Sequence, residues 1–228
     1  MKRLSVLCML SAIFAGSLFG TGETPRPYSP AETREILLGM SRKVALNRSI
    51  RAKFVQEHRL VMFDDVLQSE GMLYYQQPGR IRWEFIAPYR SLTILLENGA
   101  VEKFDVVAGR PVRVETGSQK VLAEVLTQIM NWQRGNLLSA AEGFRLVLYP
   151  GSGYKLVMIP EAKGMANIFS RLEFEIAKES FLVNSVCLWE NENDYTLIRF
   201  SDQQVDGELA ADVFNLKQPR LEKHGEPL

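Results

Sequence analysis

Residues 69–85, Ser69-Glu70-Gly71-Met72-Leu73-Tyr74-Tyr75-Gln76-Gln77-Pro78-Gly79-Arg80-Ile81-Arg82-Trp83-Glu84-Phe85, read as two strands joined by a tight turn. Met72 to Tyr75 is a β-favouring run stopped by Pro78-Gly79, because proline lacks a ladder donor and glycine accepts turn geometry. Ile81, Trp83 and Phe85 then alternate with Arg82 and Glu84, the pattern of a strand with one apolar face. The alternation predicts Arg82 and Glu84 toward solvent. It also places Leu73, Tyr75 and Gln77 on one face of the preceding strand.

The same period extends outward. On the C-terminal side, Leu92–Leu96 and Val101–Val106 flank Asn98-Gly99, a hairpin signal because both turn residues tolerate positive φ. On the N-terminal side the period is two from Ile50, through Ala52, Phe54 and Gln56, with Leu60 to Phe63 also read as strand. The last third supplies Phe144–Tyr149, a Pro150-Gly151-Ser152-Gly153 turn and Tyr154–Ile159. Phe169–Ile176, Leu182–Glu190, Tyr195–Ser201 and Val213–Lys217 follow as strands.

Helical spacing occurs twice. Ser29-Pro30-Ala31-Glu32 is a capped start, with proline in the first turn, for a helix carrying Ile36, Leu37, Met40 and Val44. Ser118 caps a second, in which Val121, Leu122, Val125, Leu126, Ile129 and Met130 recur three and four apart until Gly135 ends it. Leu137, Leu138 and Ala140 add a short turn of helix. About ten strands with two or three helices predict an α+β, mostly β fold, a curled antiparallel sheet. The helices can cap its concave side and leave a hollow, or side chains can pack that side shut. The pattern is satisfied by both.

The chain's 228 residues suit one domain, and its 27 basic and 27 acidic residues give no excess that would favour nucleic acid. Residues 1–22 read as a secretory signal: Lys2 and Arg3, then an uncharged Leu4–Phe19, then small residues with cleavage between Ser17 and Gly22. The apolar run is shorter than the ~20 residues that span a bilayer. Residues 23–228 are then a single exported domain. Cys8 falls in the signal, which leaves Cys187 alone in an alternating apolar segment, where it reads as a small buried hydrophobe. The stability of such a domain rests on core burial.

Chemistry-bearing motifs are missing. The histidines are His58 and His224, with no HExxH, CxxC or paired-histidine spacing, so no metal and no cofactor is expected. No GxSxG elbow occurs, and Gly151-Ser152-Gly153 reads as a hairpin turn. Glu173 and Glu175 alternate with apolar residues, so they read as the solvated face of a strand. The chain is not expected to be an enzyme.

The stretch from Ser69 to Glu84 resembles the signature of LolA-type outer-membrane lipoprotein carriers, with a glycine-started strand, a proline turn and a tryptophan on the second strand. The likeness continues through Leu92 to Asn98-Gly99, Phe54 with Gln56, and Asp212-Val213-Phe214 ending at Pro219. It implies a half-open β-barrel lidded by two or three helices around an apolar cavity for the acyl chains of a lipoprotein. Each shielded methylene is worth ~0.8 kcal/mol. Phe54, Leu73, Tyr75, Ile81, Trp83, Phe85, Ile94, Leu96 and Phe104 are the candidate cavity residues, and Leu122, Val125, Leu126 and Ile129 the candidate lid residues. The family's arginine before the strand-ending proline, which latches the lid, is Gln77 here, with Arg80 or Arg82 as candidate substitutes. The resemblance further implies a monomeric periplasmic shuttle, with lipid-modified proteins as cargo, an inner-membrane lipoprotein exporter and an outer-membrane acceptor. The alternatives are a carrier of another lipid, glycolipid or polyene-like amphiphile, and a lipid hydrolase on the same scaffold.

Overall fold

Helix α1 (Pro30–Val44) begins where the sequence marks it. Ser29 caps the helix through its side chain, Glu32 reaches back to the Ser29 N–H at 2.8 Å, and Pro30 occupies the first turn. This reciprocal pair satisfies two of the otherwise orphaned donors of the first turn. Leu37, Met40 and Val44 then fall on one buried stripe. The computed structural model describes residues 25–63, 65–114, 127, 131–132, 134–217 and 219–221. The signal segment and the expected lid residues Leu122, Val125, Leu126 and Ile129 lie outside them.

The described residues form one antiparallel sheet of eleven strands. These are β1 (Ser49–Arg59), β2 (Leu67–Gln76), β3 (Arg80–Ala87), β4 (Ser91–Leu95), β5 (Val101–Val107), β6 (Arg110–Val114), β7 (Phe144–Pro150), β8 (Tyr154–Pro160), β9 (Arg171–Ile176), β10 (Val183–Trp189) and β11 (Tyr195–Val205). Two short helices, α2 (Leu137–Ala140) and α3 (Lys163–Ala166), lie in the connections. The strand order is β6-β5-β4-β3-β2-β1-β11-β10-β9-β8-β7, so the sheet ends at β6 and β7 and does not close. With α1 against the inner face, this is the half-open barrel with a helix lid.

Register decides which side chains share a face. Leu73 pairs with Trp83, Tyr75 with Ile81, and Ile81 with Leu95. These, with Ile50, Ala52 and Phe54 of β1, form the inner core against Leu37, Met40 and Val44. The other face of β2–β5 carries a second core of Met72, Tyr74, Leu92, Ile94 and Phe104, covered by Val213 and Phe214. Ile94, Leu96 and Phe104 therefore belong to this outer core and not to the interior. The physical reason is the pairing of Ile81 with Leu95, which turns Ile94 outward in a strand whose two faces are both apolar.

Three further expectations are corrected. Arg82 and Glu84 are 0% and 1% exposed, because residues 209–216 fold over their face of the sheet. Val213–Lys217 is not a strand. The Val213 carbonyl accepts from Arg82 Nη1 at 2.8 Å, so a side chain satisfies it in place of a ladder. Leu60–Phe63 is the turn of the β1–β2 hairpin and not a continuation of β1. An unexpected strand, β6, follows an Ala108-Gly109 turn with φ of 51° and 75°. Its Pro111 hides it from a strand reading, and proline is tolerated there because β6 is an edge.

Gly71 shows how close the inner packing is. It sits opposite Phe54, and a Cβ there would lie 2.0 Å from the Glu84 carbonyl and 2.4 Å from Phe54 Cζ. The bare backbone lets the Phe54 ring lie across β2 and stack on Trp83, with 4.0 Å between centroids. Gly71→Ala should cost about 3 kcal/mol by overpacking, read as a lower urea midpoint with an unchanged slope. An unchanged midpoint would refute this packing.

Candidate functional site

The inner face is the candidate site, and its floor is aromatic. Phe54 stacks on Trp83, Phe85 meets Phe54 edge-on at 5.4 Å, and Phe200 meets Trp83 edge-on at 6.1 Å. Such pairs add about 0.5–1.5 kcal/mol each beyond the area they bury. The structure thus gathers Phe54, Leu73, Tyr75, Ile81, Trp83 and Phe85 on one apolar surface. Phe200 is a member the sequence reading omitted, brought there by its pairing with Phe54.

Two polar atoms in this surface lack partners: the Tyr75 hydroxyl and Trp83 Nε1 are buried without a hydrogen bond. Leaving such a group unpaired costs about 1–3 kcal/mol. Burial raises the Tyr75 phenol above its ordinary pKa, with nearby Arg134 opposing the shift. Both groups can donate, so the surface is chemically suited to apolar chains that carry an occasional oxygen acceptor.

Trp132 occupies the middle of the interior. Its ring stacks on Phe174 at 5.8 Å, and its Nε1 donates to the Phe181 carbonyl at 3.2 Å. On one side lies a void of about 10 Å³ bordered by Leu37, Leu137 and Met158. On the other lies a void of about 20 Å³ bordered by Ile50, Leu73 and Phe200. Trp132 and Phe174 line both. Ligand pockets run to about 300–1,000 Å³, so neither void beside Trp132 is large enough to hold a ligand. Trp132 lies just past Met130, where the helical pattern read from the sequence stops, one step of three beyond Ile129.

Two hydrogen bonds join the β2–β3 turn to what covers the interior. Gln77 Nε2 donates to the Ala45 carbonyl at the C-cap of α1, at 2.7 Å. Arg134 Nε donates to the Pro78 carbonyl at 2.6 Å. The guanidinium lies where a Cβ on Gly79 would be, 1.8 Å from Nη2, so only glycine admits it. An arginine does meet this turn, but it comes from residue 134 and not from position 77. Among the described residues neither candidate substitute meets the cover over the interior: Arg82 faces the outer core, and Arg80 sits 5.3 Å over the Phe214 ring.

The rest of the surface carries little reactive chemistry. On the outer face a concavity of about 530 Å³ surrounds the β7–β8 turn. Its Glu173 is paired with Lys155 at 2.8 Å and Arg171 at 2.6 Å. Although burial opposes it, the bonds from Arg171 and Lys155 hold the Glu173 carboxyl below the usual range. Burial pushes the Cys187 thiol up to about 11, which makes it a poor nucleophile. His58 Nδ1 lies 2.8 Å from the Thr196 hydroxyl. Among the described residues no group of His, Cys, Asp or Glu is gathered to hold a metal ion, and no helix is long and apolar enough to cross a membrane.

Comparison with known proteins adds to this geometry. The family model described as outer membrane lipoprotein carrier protein LolA matches residues 46–217. An outer-membrane lipoprotein carrier protein of Coxiella burnetii (strain CbuK_Q154) is 24% identical over 230 residues, spanning 96% of this chain and 97% of its own. Among solved structures, a DUF1329 family protein of Desulfovibrio piger superposes with a TM-score of 0.47 at 15% identity, over 83% of this chain and 99% of that one. A LolA superfamily protein of Nitrosomonas europaea gives 0.42 at 7% identity, over 80% and 97%.

Proposed function

Since this chain belongs to the LolA family of outer membrane lipoprotein carrier proteins, we propose that it is a periplasmic carrier that takes the acyl chains of lipid-modified proteins into the inner face of its half-barrel. It would receive them from an inner-membrane exporter and deliver them to an outer-membrane acceptor. The observation that carries this reading is the Trp132 plug, an indole flanked by voids in a predominantly apolar interior. Neither void can hold an acyl chain, so loading beside Trp132 requires this closed arrangement of the indole and the elements around it to yield. The energy comes from the chains themselves, at ~0.8 kcal/mol per methylene removed from water.

The bonds of Gln77 to Ala45 and of Arg134 to Pro78 oppose that movement. A single such bond contributes about 1 kcal/mol, enough to bias the closed state while leaving it reversible. Gln77→Ala should therefore lower stability by about 1 kcal/mol and raise amide exchange around residues 45–48, where its partner lies. Unchanged exchange there would show that position 77 latches nothing. The function itself is tested by adding the processed chain to spheroplasts that display a newly matured lipoprotein. Recovery of a soluble one-to-one complex supports the carrier reading, and retention of all lipoprotein on the membrane overturns it.

A further inference from the structure

The β1–β2 hairpin ends in a turn whose composition is unlike the rest of the surface. Val61, Met62 and Phe63 are 59%, 80% and 52% exposed, and Leu67 at the start of β2 is 57% exposed. Val66 is exposed beside them. Antiparallel pairing brings the β3–β4 and β5–β6 connections to the same end of the sheet, and these add the exposed side chains of Tyr89 and Val107.

The turn is braced on one side and projects. Val61 N–H donates to Asp194 Oδ1 at 2.6 Å, bracing the tip on the β10–β11 connection. On its other side β2 pairs with β1 as far as Leu67 but with β3 only as far as Glu70. Three residues of the hairpin, about 10 Å, therefore stand beyond β3. Interfacial apolar groups enter a bilayer to about 5–10 Å, a comparable depth.

We propose that this tip docks the protein on a lipid bilayer by inserting Val61, Met62 and Phe63, with Tyr89 at the headgroup level. Contiguous exposed apolar side chains of this kind mark an interaction site. The tip's shape selects the occupant: a narrow convex turn cannot supply the face of about 800 Å² per partner that a stable protein complex needs, whereas a fluid bilayer closes around it. Charge agrees, since Arg59, Arg90 and Arg110 share this end with Asp65, Glu190, Glu192 and Asp194. No single-sign field is present, so insertion and not headgroup charge should drive binding. Leu67 pairs with His58 and falls by alternation on the same strand face as Leu73, so the docked end is also an end of the inner face that the carrier reading assigns to acyl chains.

The test is flotation of cargo-free, processed protein with vesicles of pure phosphatidylcholine and with vesicles containing phosphatidylglycerol, so it does not depend on the carrier reading. Wild type should float with both, to the same extent at low and high salt. The Met62→Asp, Phe63→Asp double variant should bind at least about tenfold less with an unchanged melting temperature. Leu46→Asp, an equally exposed apolar position away from the tip (74%), should float like wild type. Failure of wild type to float, binding only to anionic vesicles that salt abolishes, or undiminished floating of the double variant would each overturn the proposal. So would a tip-dependent dimer in sedimentation.

Discussion

Trp132→Ala is expected to lower stability by about 3–5 kcal/mol and, in the same molecule, to raise the affinity of the interior for an apolar probe. The stability loss follows from deleting a side chain that is 3% exposed, with its stacking on Phe174. Large-to-small changes at such positions carry both a transfer and a cavity penalty. The gain in binding follows from where the indole sits. Voids border it on two sides, and removing it joins them into one apolar space. Apolar cavities of that kind stay dry and accept apolar guests. Urea unfolding gives the first quantity, and titration with a fluorescent fatty acid gives the second. A variant that loses stability without binding the fatty acid more tightly would make Trp132 an ordinary core residue.

The second large effect is expected on the opposite face of the sheet. Glu84→Ala should cost about 3–5 kcal/mol, because it leaves the fully buried Arg82 guanidinium without its carboxylate. Arg82 Nη2 donates to Glu84 Oε2 and to the Arg220 carbonyl, and Nη1 donates to the Val213 carbonyl. Arg90 adds a contact to Glu84 Oε1 at 3.1 Å. Burial pulls the Arg82 pKa below its ordinary value, opposed by the Glu84 charge, so removing that charge leaves the burial cost uncompensated. The C-terminal segment hangs on the same guanidinium, and the variant should be cleaved by trypsin at Lys217 or Arg220 sooner than wild type. Arg82→Met with Glu84→Leu should recover most of the loss, since apolar replacement of both partners is often neutral or better. A double variant no more stable than Glu84→Ala would contradict this.

The strands were legible where one face met water or where a turn residue bounded them. Alternation put Leu73 and Tyr75 on one face of their strand and Ile81 and Trp83 on one face of theirs, and the register joins these faces with Phe54 into one. Alternation misled where both faces are covered. Leu92–Leu96 is apolar throughout because Leu95 looks inward and Ile94 outward, so its periodicity does not say which residue faces the interior. Arg82 and Glu84 read as a solvated face because a sequence pattern registers charge but not that two opposite charges, two residues apart on one face, neutralise each other beneath a later segment. The family resemblance puts the latch arginine next to Pro78, whereas Arg134 reaches that residue from 56 positions away. Nothing local to either position announces that contact.

Whether the inner face holds acyl chains can be read by native mass spectrometry of the processed chain released gently from the cell envelope. The chain should carry one lipid-modified protein, or take one up when supplied with a detergent-solubilised triacylated lipoprotein. The bare mass alone, before and after that supply, would contradict it.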